Sequence, residues 1–369
     1  MADRESWVSP FDIEGGRPNK EGDFLREEVS LANRNSGILL EALRHDVTPI
    51  GLHYLLNHFD VPYVPSAAEW TLSITGRVRQ PLKLSLADLK ALPEKTLRVT
   101  LECAGNGRAN IALRRQSMPW MYEAVGTSEW TGTPLRPVLE RAGLASDAMD
   151  IAFFGIDRGF DKVFHDYGRS LAPQLALSDD VLLVWGMNGA PLLPQHGFPL
   201  RLIVPGWYGM ASVKWLDRIE VLDRPFEGQQ QVGSYLYRES ADDPGVPVTH
   251  VRVKSLMVPP GIPDWYTRQR MVPPGPVTVF GRAWTGNGVP ITRVEFGVDG
   301  VWQDATLAPI DGRYAWRGWQ ATWDATEGEH EIACRATDDN GETQPLEARW
   351  DRSGFGNNMV HKVRVTVRA

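Results

Sequence analysis

Four turn pairs, Asn287-Gly288, Asp299-Gly300, Asp311-Gly312 and Asn340-Gly341, punctuate the last part of the chain and restrict what it can fold into. Asn or Asp followed by Gly tolerates the positive φ of a tight hairpin, so each pair turns an extended segment back on itself. Between and beyond them run Val277–Ala283, Ile291–Val298, Tyr314–Trp323, His330–Thr337 and His361–Val367, rich in β-branched and aromatic residues. Short strands at this spacing predict an immunoglobulin-like sandwich of roughly 100 residues. Cys334 alternates within one strand and reads as a core side chain. Trp302, Trp316, Trp319 and Trp323 read as sandwich core and interface.

Upstream the pattern is mixed. Leu72, Ile74, Gly76 and Val78 alternate with Thr71, Ser73, Thr75 and Arg77, the signature of a half-buried strand. Leu84–Leu92 reads as a short helix with Ser85 as N-cap and Pro93 beyond its end, and Pro134–Ala142 as a helix closed by Gly143. A further helical candidate covers Gly37–Arg44. Leu97–Leu101, Ile151–Phe154, Val181–Trp185 and Leu200–Val204 are short apolar runs separated by Gly- and Pro-rich turns. Residues 224–275 form a connector rich in Pro and Gly. No long helix is evident, and 369 residues exceed one typical core. The expectation is an α+β domain over residues 1–245 and an all-β domain over 246–369.

The formal net charge of −7 argues against wholesale binding to nucleic acid or an anionic membrane. No apolar run approaches the roughly 20 residues needed to span a bilayer. The first residues, MADRESWVSPFDIEGG, carry no signal-peptide pattern, so residence in the cytoplasm is the expectation. The two cysteines, Cys103 and Cys334, lie too far apart and in contexts too different for a disulfide framework or a cysteine-only metal site.

Cys103 follows a strand and opens the loop Glu102-Cys103-Ala104-Gly105-Asn106-Gly107-Arg108, whose glycines let the backbone come close to a ligand. A cysteine so placed is a core thiol, a nucleophile or a metal ligand. Asn106 and Arg108 favour thiolate and a nearby anion. No His base accompanies Cys103 in sequence, and one thiolate cannot build a zinc site alone. It suits a metal that arrives already ligated by a sulfur-bearing cofactor.

This loop resembles the C-A-G-N-x-R element of the sulfite oxidase family. Asn57-His58 resembles the family's R-N-H, Met187-Asn188-Gly189 with His196-Gly197-Phe198-Pro199-Leu200-Arg201 its M-N-G…H-G-F-P-x-R, and Val204-Pro205-Gly206 with Ser212-Val213-Lys214-Trp215-Leu216 its V-P-G…V-K-W-L. Ile332–Asp338 resembles a strand of the family's dimerisation domain. The likeness runs in order from about residue 50 to the carboxy terminus.

The resemblance implies the sulfite oxidase fold: an α+β molybdopterin-binding domain followed by an all-β immunoglobulin-like domain through which two copies pair. It implies a molybdenum held by one pterin dithiolene, oxo groups and the sulfur of Cys103. Asn57, His58, Asp157, His196, Arg201, Ser212, Val213 and Lys214 would surround the pterin and its phosphate. Arg108, Trp120, Tyr235 (or Tyr237) and an arginine lent by the second domain, Arg313 or Arg317, would form the substrate pocket. Two positions depart from the family. Leu56 stands where the R-N-H arginine would be, and Gln116 where lysine is frequent, so the pocket carries less positive charge. The loop Arg158–Asp166 is also longer than usual. The implied reaction is oxo transfer to sulfite or a related small sulfur compound, with electrons leaving to a separate acceptor, a cytochrome or oxygen. The alternatives are a reductase of sulfoxides or similar oxides and a non-catalytic cofactor-binding module. His45, His53, His165 and His250 show no ligand spacing and read as ordinary polar residues.

Overall fold

The structure, a computed structural model, describes residues 24, 26, 29, 32–111, 117–161, 163–240, 242–263, 269–286 and 288–369. Gln116 and Asn287 lie outside the described residues.

Two five-stranded sheets build the first domain. In one, Leu182–Met187, Val125–Pro134 and Lys95–Glu102 lie side by side and antiparallel, with Lys95–Glu102 at the edge. That edge strand is the predicted Leu97–Leu101 run extended at both ends, and its last residue immediately precedes Cys103. The other sheet places Thr71–Gly76 between Leu82–Ser85 and a parallel neighbour, Leu216–Leu222. The alternation holds here: Leu72 and Ile74 are fully buried while Thr71 and Ser73 are half-buried. The sheet finishes with the hairpin Asp150–Asp161 and Val163–Leu171. Its register shifts between Phe154 and Arg158. Such a bulge re-aims a side chain, and Asp157 lies within it.

Helices are short. Ser85 caps Leu86–Lys90 by accepting the Asp88 N–H at 3.1 Å, and the Asp88 carboxylate returns a bond to the Ser85 N–H at 2.8 Å. The predicted helix at 134–142 is Arg136–Ala142. Gly37–Arg44 shrinks to a 3-10 turn, Leu40–Arg44. Gly37 is instead pressed against the Glu123 side chain, which leaves no room for a Cβ, and the Ile38 N–H binds the Glu123 carbonyl. Among the described residues no helix is long and apolar enough to cross a membrane.

The second domain is a sandwich of a four-stranded and a six-stranded sheet. Phe296, Trp319, Trp323, Ile332, Cys334 and Val365 pack between them. Ile291–Val298 and His361–Val367 have the predicted bounds. Tyr314–Trp323 does not: the strand is Arg317–Ala325. Tyr314 leaves the sandwich to bridge Val99 on the edge of the first domain's sheet, and Trp316 packs into the first domain's core. The domains are thus joined beside the strand that leads into Cys103.

Candidate active site

Two chambers meet at Cys103. Leu56, His58, Cys103 and Tyr235 line both, forming the wall between them. The inner chamber continues over Asp157, His196, Arg201, Ser212 and Lys214. The outer one, of about 480 Å³, continues over Arg108, Trp120, Arg238, Arg352 and Phe355.

The Cys103 loop is a tight turn. The Cys103 N–H binds the Ala124 carbonyl and its carbonyl accepts the Asn106 N–H, both at 2.9 Å. Gly107 adopts φ +93°, open to glycine at little cost. The chain then reverses so that the Arg108 guanidinium lies over Gly105, within 2.6 Å of a virtual Cβ. Arg108 donates from Nε to the Ser353 carbonyl at 2.6 Å and from Nη1 to Ser117 Oγ at 2.7 Å and the Met118 carbonyl at 3.0 Å. Burial pushes the Cys103 thiol up, while the Gly105 N–H and Arg108 pull it down.

The inner chamber buries charge without pairing it fully. Arg201 stacks on Trp130 and donates to the carbonyls of His196 at 2.9 Å and Ser212 at 3.2 Å. Among the described residues its Nε has no partner, and burial draws its pKa down to about 10. Lys214 donates to Asn57 Oδ1 and to the carbonyls of Leu56 and Gln195. Burial, and then the Arg201 charge, lower it to about 7. Asp157 is raised to about 7 by burial, against the pull of Lys214, and its Oδ1 has no partner among the described residues. His53 donates from Nδ1 to the Tyr54 carbonyl, its Nε2 has no well-formed hydrogen bond among the described residues, and burial lowers it to about 4. Unsatisfied donors and acceptors of this kind are costly in a folded chain. A flat polar guest carrying an anionic group fits them: guanidinium and ammonium take the anion, carboxylate and imidazole the ring edges.

In the outer chamber the Tyr235 hydroxyl and His58 Nε2 lie 2.6 Å apart, and Tyr235 stacks on Phe355 at 5.0 Å. Asp351 fixes the far side. Its carboxylate accepts the N–H groups of Arg238, Ser353 and Phe355 at 2.8 to 2.9 Å, and the Arg352 N–H reaches the Arg238 carbonyl at 3.1 Å. Arg238 and Arg352 are thereby set on one wall.

Most residues expected at the site are brought together: Asp157, His196, Arg201, Ser212 and Lys214 on the inner wall, His58 and Cys103 between, Arg108 and Trp120 outside. Asn57 is buried beneath Lys214. Val213 is in the apolar core and lines neither chamber; its neighbours on either side do. Of the two tyrosines, Tyr235 lines both chambers and Tyr237 neither. Arg313 and Arg317 are corrected. Arg313 has a 63% exposed side chain 3.8 Å from Asp180, and Arg317 donates to the Ala308 and Ile291 carbonyls. The Tyr314 bridge holds this segment at the sheet edge, away from the chamber. The second domain's arginine on the outer wall is Arg352. His53 is also corrected, from an ordinary polar residue to part of the inner wall, while His45, His165 and His250 line neither chamber. Only nearness to Asn57-His58 marked His53 in the sequence, and nothing marked Arg238.

Among known proteins, the family description "Oxidoreductase molybdopterin binding domain" matches residues 58–230 and "Mo-co oxidoreductase dimerisation domain" matches 247–368. Nitrate reductase [NADH] 2 of Phaseolus vulgaris is 32% identical over 366 residues, covering 89% of this chain and 40% of that protein. Nitrate reductase [NAD(P)H] of Hordeum vulgare is 33% identical over 350 residues, covering 87% of this chain and 39% of that protein. The chain thus spans about two fifths of the length of these relatives. The sulfane dehydrogenase SoxCD from Paracoccus pantotrophus superposes with a TM-score of 0.78 at 25% identity, over 98% of this chain and 95% of that one. With both domain descriptions matched in chain order and the paired chambers in place, the chain belongs to the sulfite oxidase family of molybdenum oxidoreductases, with molybdenum-molybdopterin as its cofactor.

Proposed function

We propose that Cys103 supplies the protein sulfur to the molybdenum and that the enzyme transfers an oxo group to sulfite or a related small sulfur compound, its electrons passing to a separate acceptor such as a cytochrome or oxygen. One observation carries the reading: Cys103 stands on the wall common to a polar inner chamber and a cationic outer one. The cofactor supplies the two-electron oxo-transfer chemistry when bound. The protein positions what reacts. Arg201 and Lys214 hold the pterin phosphate, while His53, Asp157 and His196 take hydrogen bonds from the pterin edges or give them. Arg108, Arg238 and Arg352 hold an anionic substrate, and Trp120 and Phe355 keep water from it. Burial raises the Tyr235 hydroxyl well above its ordinary range, so it stays protonated; with His58 Nε2–H donating to its oxygen, its one O–H is left to donate toward the reacting end. The second domain pairs two copies, in keeping with the dimerisation description it matches.

The name of the SoxCD relative, a sulfane dehydrogenase, supports a sulfur substrate. The nitrate reductase relatives, together with Leu56 in place of a cation, favour a second reading: reduction of a small oxide in the same chamber. Steady-state turnover of sulfite with ferricyanide, on protein carrying its molybdenum, separates the two. The first reading expects turnover, and expects Leu56→Arg to lower KM about tenfold or more by adding a charge-assisted contact. Molybdenum-loaded protein that leaves sulfite untouched but oxidises a reduced viologen with a sulfoxide or nitrate would support the second and reject the first.

A further inference from the structure

Glu102, next to Cys103, is 1% exposed, and its carboxylate lies 2.7 Å from the ammonium of Lys254, which is 2% exposed. Removing two charges from water is expensive, and a well-packed apolar pair in their place is frequently no worse for stability. What this pair touches gives it a purpose. The three N–H groups of Lys254 have three acceptors: Glu102 Oε1, the Asn106 carbonyl at 3.2 Å and the Asn357 carbonyl at 2.9 Å. Glu102 Oε1 also accepts Asn106 Nδ2 at 3.0 Å, and Oε2 accepts the Trp284 indole N–H at 2.9 Å. Two further bonds complete the grip, from the Gly356 N–H to the Ala104 carbonyl at 2.7 Å and from Asn357 Nδ2 to the Gly107 carbonyl at 2.8 Å.

Apart from the Asn106–Glu102 bond within the loop, these grips on residues 102–107 come from Lys254, Trp284, Gly356 and Asn357, all within the second domain's 247–368. From the first domain come the strand end at Glu102, the Ala124 contacts, and the turn bonds from the Arg108 and Asn110 N–H groups to the Gly105 and Gly107 carbonyls. We propose that the Glu102–Lys254 pair is a positioning device for Cys103: the second domain, whose matched description is dimerisation, also holds the cysteine loop in its ligand-presenting shape. This rests on the reading of Cys103 as the molybdenum ligand. Glu102 and Lys254 act through the loop and touch neither cofactor nor substrate.

The test uses the full chain made in a host without the cofactor, with iodoacetamide as probe and mass spectrometry to resolve the two cysteines. Lys254→Met takes the cation from the Glu102 carboxylate, which keeps only its Asn106 and Trp284 donors, and removes the ammonium bonds to the Asn106 and Asn357 carbonyls. It is expected to speed Cys103 alkylation about tenfold or more while Cys334 keeps its wild-type rate, the mark of local rather than global opening. Trp284→Phe removes the indole N–H to Glu102 and part of a buried ring while leaving the Glu102–Lys254 pair, and serves if Lys254→Met fails to fold; it is expected to give a smaller rise of the same kind. In the loaded enzyme, either variant is expected to shift the molybdenum(V) electron paramagnetic resonance signal. A folded Lys254→Met with an unchanged Cys103 rate, or with both cysteines rising in parallel, would overturn the proposal. The alkylation result stands whether or not Cys103 binds the metal, so failure of the ligand reading appears separately, as a signal indifferent to Cys103→Ser.

Discussion

Cys103 and Cys334 are both buried, and burial pushes both thiols up, Cys334 to about 12. By those two properties they are the same kind of residue. Their surroundings differ. Cys334 sits in a paired strand opposite Phe296 on one side and His361 on the other, inside the sandwich core. Cys103 stands on the wall of two chambers, with buried cations and unpartnered polar atoms in the inner one. Thiol burial alone therefore does not separate a ligand from a core residue. A cavity with converging, unsatisfied polar groups does.

The sharpest way to break that contrast is through the inner wall. Arg201→Met removes a buried guanidinium that the account assigns to the cofactor phosphate. Loss of such a contact costs about 2–5 kcal/mol, or on the order of 30- to several-thousandfold in cofactor retention. Molybdenum content after gel filtration measures it, and full retention would show that the buried charge serves the fold. Next in size is a pH effect. His53 falls from its ordinary 6.5 to about 4 because burial disfavours its charged form. A depressed histidine contributes stability that is present above 6.5 and lost as pH falls through about 4, here up to about 3 kcal/mol. Urea unfolding of the cofactor-free chain at pH 7 and pH 4 is expected to show this loss, and His53→Gln to reduce it. Equal losses with and without His53 would contradict the assignment. Smaller still is the contrast between two arginines of the second domain. Arg352→Ala is expected to raise KM for an anionic substrate about tenfold, while Arg313→Ala, out at the sheet edge, changes it less than about twofold. The reverse order would restore the reading from sequence.

Much of this was legible before the structure, for physical reasons. An Asp-Gly pair acts locally, so the hairpin of Ile291–Val298 with Val301–Asp304 follows from Asp299-Gly300, both at positive φ, whereas the strands on either side of residues 287–288 lie in different sheets. The Cys103 loop is contiguous, so its glycines and Arg108 identify one another. What stayed hidden depends on long-range closure. Arg313 was favoured from linear position, but the neighbouring Tyr314 pairs with Val99 across the domain boundary and holds the segment elsewhere. Arg352 reaches the chamber through Asp351, which binds backbone N–H groups of both residues 238 and 353. No periodicity records such a knot. His53 has no ligand spacing because only its burial beside Arg201 and His196 makes it part of the wall. The resemblance pointed to Tyr235 or Tyr237 in the Pro- and Gly-rich connector, but nothing there showed that the same connector also delivers Lys254 to the Cys103 loop.

X-ray absorption at the molybdenum edge addresses the central claim most directly. The wild-type enzyme and its Cys334→Ser variant are expected to show the same sulfur shell and equal turnover. Cys103→Ser is expected to show one sulfur fewer around the metal, with turnover down on the order of a thousandfold. An unchanged sulfur shell in Cys103→Ser would contradict the account.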